Sequence, residues 1–385
     1  MVVFLIFTPS GNAYDLSDTM QIHGFLTQNA FHTSANQVYG ESRHKISYDL
    51  TEAGVNLGYQ PWERLSFSGQ TLFRQAGALD SGSVNLDYGL ADLALNQSRK
   101  GGFGIRMGRI KNPLGLYNET RDVAFTTPTI ILPHGMYYDR SRSLFLSSDG
   151  GQFYFNYTME TQSLSGKFNY GRIRNDNDEM RDAVLPLNAT GEMDTNAGFS
   201  GQLIYEINSG EYLAAISYAD VKLSYDPGLM DNYSNGSAHF YPMIFSAQYN
   251  GERISMAGEY LYQKNKFLNF GPLSPDASDP SESWYIQLAY RFNDRLQALS
   301  RYSEHYLNRN DRDGDFLALI GLPAHMGFTR DCTFTLRWDI NQWIMVRGEY
   351  HFINGTSWIT SADNPDRDIT EQHYNLYALQ LAFKF

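Results

Sequence analysis

The stretch "WYIQLAYRF", Trp284 to Phe292, alternates between two kinds of side chain. One set is bulky and apolar: Trp284, Ile286, Leu288, Tyr290 and Phe292. The intervening set is Tyr285, Gln287, Ala289 and Arg291. Because successive side chains of a β-strand point to opposite faces, this period of two predicts a strand with one apolar face and one more polar face.

The same alternation returns along the chain, for example in "AGVNLGY" at 53–59 and in "CTFTLRWDI" at 332–340. Short polar turns are predicted at 61–64, 96–102, 159–163, 208–211, 250–252, 293–295 and 341–342. Longer loops are predicted near 31–49, 77–83, 112–149, 173–196, 226–238, 266–281, 307–330 and 353–372. Strict interleaving of the two kinds of connection predicts sixteen antiparallel strands from Gln21 to Phe385.

Composition excludes several classes of protein. No internal segment approaches the ~18 consecutive apolar residues that a membrane helix needs. The formal net charge of -12 argues against a nucleic-acid partner. A single Cys332 and nine scattered histidines offer no zinc spacing, and no Gly-x-Ser-x-Gly elbow is present. We therefore expect neither a cofactor nor an enzyme.

The polar face decides between a soluble sheet and a membrane barrel. It carries Arg, Glu, Lys or Gln on nearly every strand, which a dry core could not satisfy but a wet lumen can. Outward aromatics near strand ends suit a membrane interface: Tyr59, Trp62, Trp284, Tyr290, Phe292, Trp338 and Trp343. We expect an all-β, 16-stranded antiparallel transmembrane β-barrel with short periplasmic turns and long extracellular loops. A secreted soluble β-rich, carbohydrate-active protein remains the alternative, since scattered carboxylates could pair in space.

The last strand, "HYNLYALQLAFKF" at 373–385, ends on a terminal aromatic, Phe385. It resembles the C-terminal signature by which Gram-negative outer-membrane barrels are recognised for assembly, and with the sixteen-strand pattern the chain resembles a Gram-negative porin. The stretch "GRIKNPLGLYNETRD" at 108–122 is similar to the start of the third loop in phosphate-selective and related substrate-specific porins. The resemblance implies a location in the cell outer membrane, contact with its lipid and its assembly machinery, a homotrimer, and passive diffusion of small hydrophilic solutes or ions.

The third loop, 112–149, is the longest, and the resemblance implies that it folds into the barrel and narrows the channel. Pro113 and Gly115 can turn the chain away from the sheet. Apolar residues would hold it against the wall: Tyr117, Phe125, Ile130, Ile131, Leu132, Tyr137 and Tyr138. An ordered surface loop that contacts a neighbouring subunit remains open.

Strand parity predicts which charged residues face the lumen. The basic ones are Arg74, Arg106, Lys167, Arg291, Arg301, Arg337, Arg347 and Lys384. The acidic ones are Glu52, Asp87, Glu206, Glu259, Asp339 and Glu349. Arg301, Arg337 and Arg347 should meet at similar height, opposite carboxylates of the third loop, where they would impose a transverse field.

We expect the pore-lining or constriction residues to be Arg74, Arg106, Lys111, Glu119, Arg121, Asp122, Asp139, Arg140, Arg142, Arg301, Arg337 and Arg347. Asp149 would add a further carboxylate to the third loop. A mild anion preference through the guanidinium groups and a non-selective channel remain equally open.

Three short stretches of the sequence carry weaker signals. The apolar start "MVVFLIFTPSGNA" at 1–13 is typical of a signal peptide that lacks its basic start and is cleaved near Ala13, which leaves 14–385 as the barrel; a first strand of the fold remains the alternative. The stretch "NRNDRDGD" contains Asp311, Asp313 and Asp315, a weak calcium candidate whose order departs from the EF-hand loop. Cys332 has the parity of a lipid-facing residue and is expected to be inert.

Overall fold

The chain forms one closed antiparallel β-sheet in the computed structural model, which describes residues 14–78, 80–139, 142–174, 181, 184–185, 189–272 and 274–385. The first eight strands are β1 (Tyr14–Ser17), β2 (Met20–Thr33), β3 (Ser47–Trp62), β4 (Leu65–Ala76), β5 (Asp80–Ser98), β6 (Gly101–Lys111), β7 (Ser147–Met159) and β8 (Gln162–Ile173). The remaining strands are β9 (Glu192–Thr195), β10 (Ala197–Ile207), β11 (Tyr212–Asp226), β12 (Gly236–Asn250), β13 (Ile254–Leu268), β14 (Pro280–Arg291), β15 (Leu296–Tyr306), β16 (Phe328–Asp339), β17 (Ile344–Gly355) and β18 (His373–Lys384).

Sixteen of these strands close the barrel, which confirms the fold expected from the sequence. Each pairs with its neighbours along the chain, β8 pairs with β10, and β18 pairs with β2. At this last junction Phe385 and Gly24 exchange two backbone hydrogen bonds, of 3.0 and 3.2 Å. A Cβ on Gly24 would lie 2.3 Å from the Phe385 ring, so any larger residue at this position would require the terminal ring to move.

The two extra strands lie outside this ring of sixteen. β1 pairs with the start of β2, and β9 extends the sheet beside β11. The seven predicted short turns all fall between the strands where they were expected. One predicted long loop is wrong: the connection near 77–83 is only 77–79, because β5 already begins at Asp80.

The wall has an apolar outer face and a polar inner face. On β14, Ile286 is 51% exposed whereas its neighbour Gln287 is 6% exposed, and on β16 the same holds for Leu336 at 52% and Thr335 at 5%. The aromatics Tyr59, Trp62, Tyr290, Phe292, Trp338 and Trp343 are also exposed. The large apolar side chains therefore point away from the interior, which is the reverse of a soluble sandwich.

Helices are few and short in the described residues. α1 (Ser143–Leu146) precedes β7, α2 (Asp315–Leu319) lies between β15 and β16, and 3-10 turns form at Ala124–Thr126, Ala324–Gly327 and Arg367–Ile369. Among these residues no helix is both long enough and apolar enough to cross a membrane.

Candidate functional site

The segment between β6 and β7, residues 112–146 and here called loop three, lies inside the barrel. Side chains of the inner wall contact it on widely separated strands. Gln202 on β10 donates to the carbonyl oxygen of Gly115 at 2.8 Å, and Gln287 on β14 donates to the Tyr117 hydroxyl at 3.0 Å. Loop three therefore crosses the lumen, as expected.

Asn112 begins the inward turn directly after β6. Its side-chain oxygen accepts hydrogen bonds from Ser148, Asn169 and Ser200, at 2.9, 3.2 and 3.1 Å. Its backbone N–H donates to Leu146 at 2.9 Å, which joins the two ends of the loop. A buried asparagine with this many partners fixes the direction in which the chain leaves the sheet.

Gly115 completes the turn with a φ of +61°, in the left-handed region that favours glycine. A Cβ at this position would lie 2.5 Å from the Tyr137 hydroxyl and 2.9 Å from a carboxylate oxygen of Glu259. The sequence signal at this position, Pro-Leu-Gly, therefore marks a close approach between loop three and the wall.

Glu259 on β13 is the first anchor of loop three. Its carboxylate is 3% exposed and accepts four hydrogen bonds: from the Leu116 N–H at 2.9 Å, and from the hydroxyls of Tyr137, Ser246 and Tyr285 at 2.5, 2.7 and 2.9 Å. A buried carboxylate is tolerated only when its oxygens are saturated in this way. Two of the donors belong to loop three, so the same bonds hold the loop to the wall.

Arg301 and Arg347 form the second anchor, on the opposite side of the loop. Arg301 donates to the Thr129 hydroxyl at 2.8 Å and to the Ile131 carbonyl at 3.0 Å. Arg347 donates to the carbonyls of Ala124 and Thr127 at 3.0 and 2.9 Å. The two side chains are 2% and 0% exposed, so loop three covers them completely.

Arg337 lies beside this pair but keeps contact with water. It forms a double hydrogen bond with Asp339 and also donates to the Phe125 carbonyl at 3.3 Å. The three arginines do lie together against loop three, yet they bind its carbonyl oxygens. The transverse field expected between these arginines and the carboxylates of loop three stays a prediction.

Glu349, His351 and Asp331 form a buried chain beside the arginines. Glu349 accepts the backbone N–H groups of Ile130 and Ile131 at 2.8 and 3.1 Å. His351 places one ring nitrogen 2.8 Å from Glu349 and the other 2.8 Å from Asp331. A neutral imidazole has only one N–H, so both contacts are satisfied only by the protonated ring.

The carboxylates of loop three pair with other basic residues. Asp122 forms ion pairs with Lys111 and Arg142, and Lys111 also contacts Asp87 at 2.7 Å. Each of these groups is buried, and their ion pairs join the start of loop three to its end and to β5. Arg140 lies outside the described residues.

Asp139 at the far end of loop three contacts Arg74 at 2.5 Å, Arg121 at 3.3 Å and the Tyr39 hydroxyl at 2.8 Å. Burial by itself would raise the pKa of Asp139, but the charges of Arg74 and Arg121 outweigh it and lower that pKa below its ordinary value. Arg74 also pairs with Glu52 on β3 at 3.1 Å. Asp149 is not part of the loop: it belongs to β7 and pairs with Arg109.

Solvent-accessible charges remain beside the loop. Lys167 on β8 and Glu119 on loop three are 2.7 Å apart, and each side chain is 31% exposed. Arg106 pairs with Asp92 at 2.8 Å and lies over the Tyr154 ring, with a fifth of its side chain exposed. These pairs face the part of the lumen that loop three leaves open.

Comparison with known proteins identifies the architecture. No protein-family model matches the chain, and no curated protein matches it. Solved structures do: the anion-selective porin from Comamonas acidovorans has a TM-score of 0.60 at 11% identity, over 95% of this chain and 99% of that chain. OmpF of Salmonella typhi, solved with daunomycin, has a TM-score of 0.58 at 14% identity, over 95% and 97%. The outer-membrane channel DcaP of Acinetobacter baumannii has a TM-score of 0.57 at 11% identity, also over 95% and 97%.

The chain has the porin fold. The expected likeness to outer-membrane porins is thereby confirmed at the level of the fold, since identities this low show nothing finer. The finer likeness to phosphate-selective porins stays a prediction.

Strand parity predicted the inward direction of the charged wall residues that hold loop three in this porin fold. Other buried residues beside the loop were not among the predicted site residues. Asp331 and His351 were overlooked although they share the inward parity of Arg301 and Arg347. His134 of loop three was also missed; it is buried and stacks on Trp358, with ring centroids 3.5 Å apart. Parity could have found the first two, whereas no local signal marks His134.

The calcium candidate does not form a site in this porin fold. Asp311 accepts the backbone N–H groups of Asp315 and Phe316 at 2.8 and 3.1 Å, and Asp313 pairs with Arg330 at 3.3 Å. No group of three or more metal-ligating side chains occurs among the described residues. Cys332 lies half-buried on the outward side of β16.

Proposed function

We propose that the protein is an outer-membrane channel through which small hydrophilic solutes diffuse passively, with no catalytic step. One observation carries this proposal: a closed ring of sixteen strands has apolar side chains on its outer face and polar side chains on its inner face, and it holds loop three inside. Lipid can cover the first surface, and the second leaves charged groups in contact with water. Loop three, residues 112–146, would set the width of the channel.

The soluble alternative predicts that the apolar face packs into a core. Leu57, Ile286 and Leu336 are instead 42%, 51% and 52% exposed. A protein in water that exposed a continuous apolar band of this kind would aggregate. The observation favours a membrane location over a secreted carbohydrate-active protein.

A planar bilayer recording tests the channel directly. The purified full chain should insert with discrete conductance steps and should migrate differently on a gel before and after heating. A folded, heat-modifiable protein that produces no steps would contradict a diffusion channel. A soluble, monodisperse protein without detergent would contradict the membrane location itself.

We further propose a weak anion preference, now based on charges that lack a carboxylate partner. Arg347 binds carbonyl oxygens, and Lys384 lies over the Phe125 ring at 4.6 Å. In the same region Arg337 pairs with Asp339, and Glu349 follows Arg347 by two residues on β17, so two carboxylates stand against Arg337, Arg347 and Lys384. The wall near Phe125 therefore carries more positive than negative charge, which favours anions in a narrow passage.

Reversal potentials in a KCl gradient test this selectivity. Lys384→Gln should shift the potential toward cation preference without disturbing loop three, because Lys384 meets that loop through a contact with the Phe125 ring and not through a hydrogen bond or ion pair in the described residues. Lys100→Gln, at a periplasmic turn, is a control that removes one charge outside the lumen. An unchanged potential in Lys384→Gln would remove this residue as a source of selectivity.

We also propose a homotrimer, recognition of the last strand during assembly and a cleaved signal peptide. A homotrimer, recognition of the last strand by the assembly machinery, and a signal peptide at 1–13 are all consistent with this function. Residues 1–13 lie outside the described residues. Cross-linking in mild detergent tests the oligomer, and the N-terminal sequence of the mature protein tests cleavage near Ala13.

A further inference from the structure

A charged cluster lies on the outer face of the barrel, at the extracellular ends of β13 to β16. Glu282 shares the outward parity of Trp284 and precedes it by two residues, so it lies about 7 Å further along the strand. Below it, Ile286 and Leu288 are exposed and apolar. Glu282 therefore stands immediately above the apolar band, at the level where lipid headgroups would lie.

Two arginines from the loop after β15 cover Glu282. Arg309 places its Nε 3.5 Å from the carboxylate, and Arg312 forms an ion pair with the other carboxylate oxygen. The Tyr260 hydroxyl donates to the same carboxylate at 2.7 Å. Glu282 is only 3% exposed, so one buried carboxylate organises two guanidinium groups.

Aromatic rings support both guanidinium groups from the wall side. Arg309 lies over Tyr262 at 5.6 Å, and Arg312 lies over Tyr306 at 5.0 Å. Their side chains nevertheless remain 45% and 49% exposed. Each arginine is thus held on one side and exposed on the other, and their two positive charges stand against the single negative charge of the Glu282 carboxylate that they share.

Neighbouring carboxylates are engaged elsewhere. Glu304 accepts the hydroxyls of Tyr302 and Tyr306 at 2.6 and 2.7 Å. Asp313 pairs with Arg330, and Asp311 binds backbone N–H groups. The ion pairs that Arg309 and Arg312 form among the described residues are both with Glu282.

We infer that Arg309 and Arg312 bind the phosphate group of an anionic lipid in the outer leaflet. Paired guanidinium groups match the oxygens of a phosphate, and basic residues at a membrane surface attract anionic headgroups. The acyl chains of that lipid would lie along the apolar face below, beside Trp284. The inference depends on the membrane location proposed above but not on conduction.

Other arginines on the outer rim provide a matched contrast. Arg109 forms a double hydrogen bond with Asp149 at 2.7 and 2.9 Å, and Arg172 pairs with Asp194 at 2.9 Å. Each has a carboxylate of its own, so neither pair has the excess charge of the Arg309–Arg312 cluster. The double variant Arg109→Gln/Arg172→Gln is therefore the control for Arg309→Gln/Arg312→Gln.

The test uses the full chain in dioleoyl phosphatidylcholine vesicles that contain a small fraction of phosphatidic acid with brominated acyl chains. Bromine quenches tryptophan on contact, so brominated phosphatidic acid should quench the fluorescence of Trp284 more strongly than the same fraction of brominated phosphatidylcholine. The difference between the wild type and Trp284→Phe isolates the signal of Trp284. Inorganic phosphate added to the buffer should leave the quenching unchanged.

Removing each arginine should weaken the preference for phosphatidic acid roughly 5-fold. The control double variant should behave as wild type. If Arg309→Gln/Arg312→Gln fails to become heat-modifiable, Arg312→Gln alone provides the measurement. Equal quenching by the two lipids, or an unchanged preference in the variants, would overturn the inference, and displacement by inorganic phosphate would assign the cluster to a free anion instead.

The channel proposal is measured separately in phosphatidylcholine bilayers without phosphatidic acid. A protein that conducts but shows no lipid preference overturns the lipid site alone. A protein that shows the preference but does not conduct overturns the channel alone.

Discussion

Glu349 on β17 accepts the backbone N–H groups of both Ile130 and Ile131, at 2.8 and 3.1 Å, deep inside the barrel. The carboxylate of a wall residue thereby accepts the backbone hydrogen bonds that a neighbouring strand would accept in a sheet. Glu259 does the same for the N–H of Leu116 across the lumen. Loop three is held by charged groups at both sides, which makes its position sensitive to single substitutions.

Glu259→Gln should loosen the first anchor. An amide cannot accept all four hydrogen bonds that the carboxylate accepts, and leaving buried donors unpaired costs about 1–3 kcal/mol each. We expect noisier and larger single-channel currents than in wild type. Glu206→Gln is the control, because the hydrogen bond of Glu206 in the described residues is with Ser163 of the neighbouring strand β8 and not with loop three. Identical noise in both variants would argue that Glu259 does not hold the loop.

Arg347→Lys should show which effects of Arg347 come from its charge and which come from its hydrogen bonds to loop three. Lysine keeps the positive charge but cannot reach the Ala124 and Thr127 carbonyls with the same fork of donors. Ion selectivity should stay near that of wild type while the conductance rises, whereas Arg347→Gln should change both. A shift of reversal potential in Arg347→Lys equal to that of Arg347→Gln would contradict this separation.

Acid should weaken the docking of loop three through His134. Burial lowers the pKa of His134 to about 3, helped by the charges of His351 and Arg301 and opposed by Asp331. Released into water, the ring would titrate near 6.5, so the released state binds more protons between those two values. Docking is therefore strongest above pH 6.5 and weakens by up to about 1.4 kcal/mol per pH unit as the pH falls toward 3.

Current fluctuations recorded at pH 7 and at pH 4.5 check this dependence. Wild type should fluctuate more at pH 4.5, and His134→Asn should show a smaller change between the two values. The lowered pKa of Asp139 gives a loss of the same sign, but only near and below its ordinary value of 3.8. A change as large in His134→Asn as in wild type would rule out His134 as the source.

Ile286→Lys should impair folding into a membrane. Ile286 is exposed in the middle of the apolar face of β14, and a lysine at the centre of a bilayer costs about 2–4 kcal/mol in a barrel. The yield of heat-modifiable protein in phosphatidylcholine vesicles should drop, while Ile286→Val should fold normally. Equal yields would mean that this face does not contact lipid.

Much of the fold follows from local sequence, because the period of two is a local property. Ile286, Leu288, Leu336 and Trp338 were placed outside by parity alone and are exposed. The same parity placed Arg301, Arg337 and Arg347 inside. The positions of strand ends were harder to predict. The strand β5 already begins at Asp80, so an expected long loop contains only three residues. The strand β7 already begins at Ser147, so Asp149 belongs to this strand and not to loop three.

The partners of loop three were not predictable in this way. Irregular backbone has no period, so nothing near Ala124 or Thr127 in the sequence marks their carbonyls as acceptors for an arginine 220 or more residues away. Electrostatic reasoning placed carboxylates of loop three opposite these arginines and named no partner for the guanidinium groups. Those carboxylates had already been neutralised by nearer groups, Lys111 and Arg142 for Asp122, and Arg74 for Asp139.

The sequence by itself determined the sheet, the sixteen strands that close it and which face of each strand is apolar, because those features depend on alternation within about ten residues. It also marked loop three as unusual through its length and its Pro113 and Gly115. Only the tertiary structure decided what the inward charges do. The path of loop three brings carbonyls to Arg301 and Arg347 and N–H groups to Glu259 and Glu349, and that path is fixed by many contacts between residues far apart in the chain.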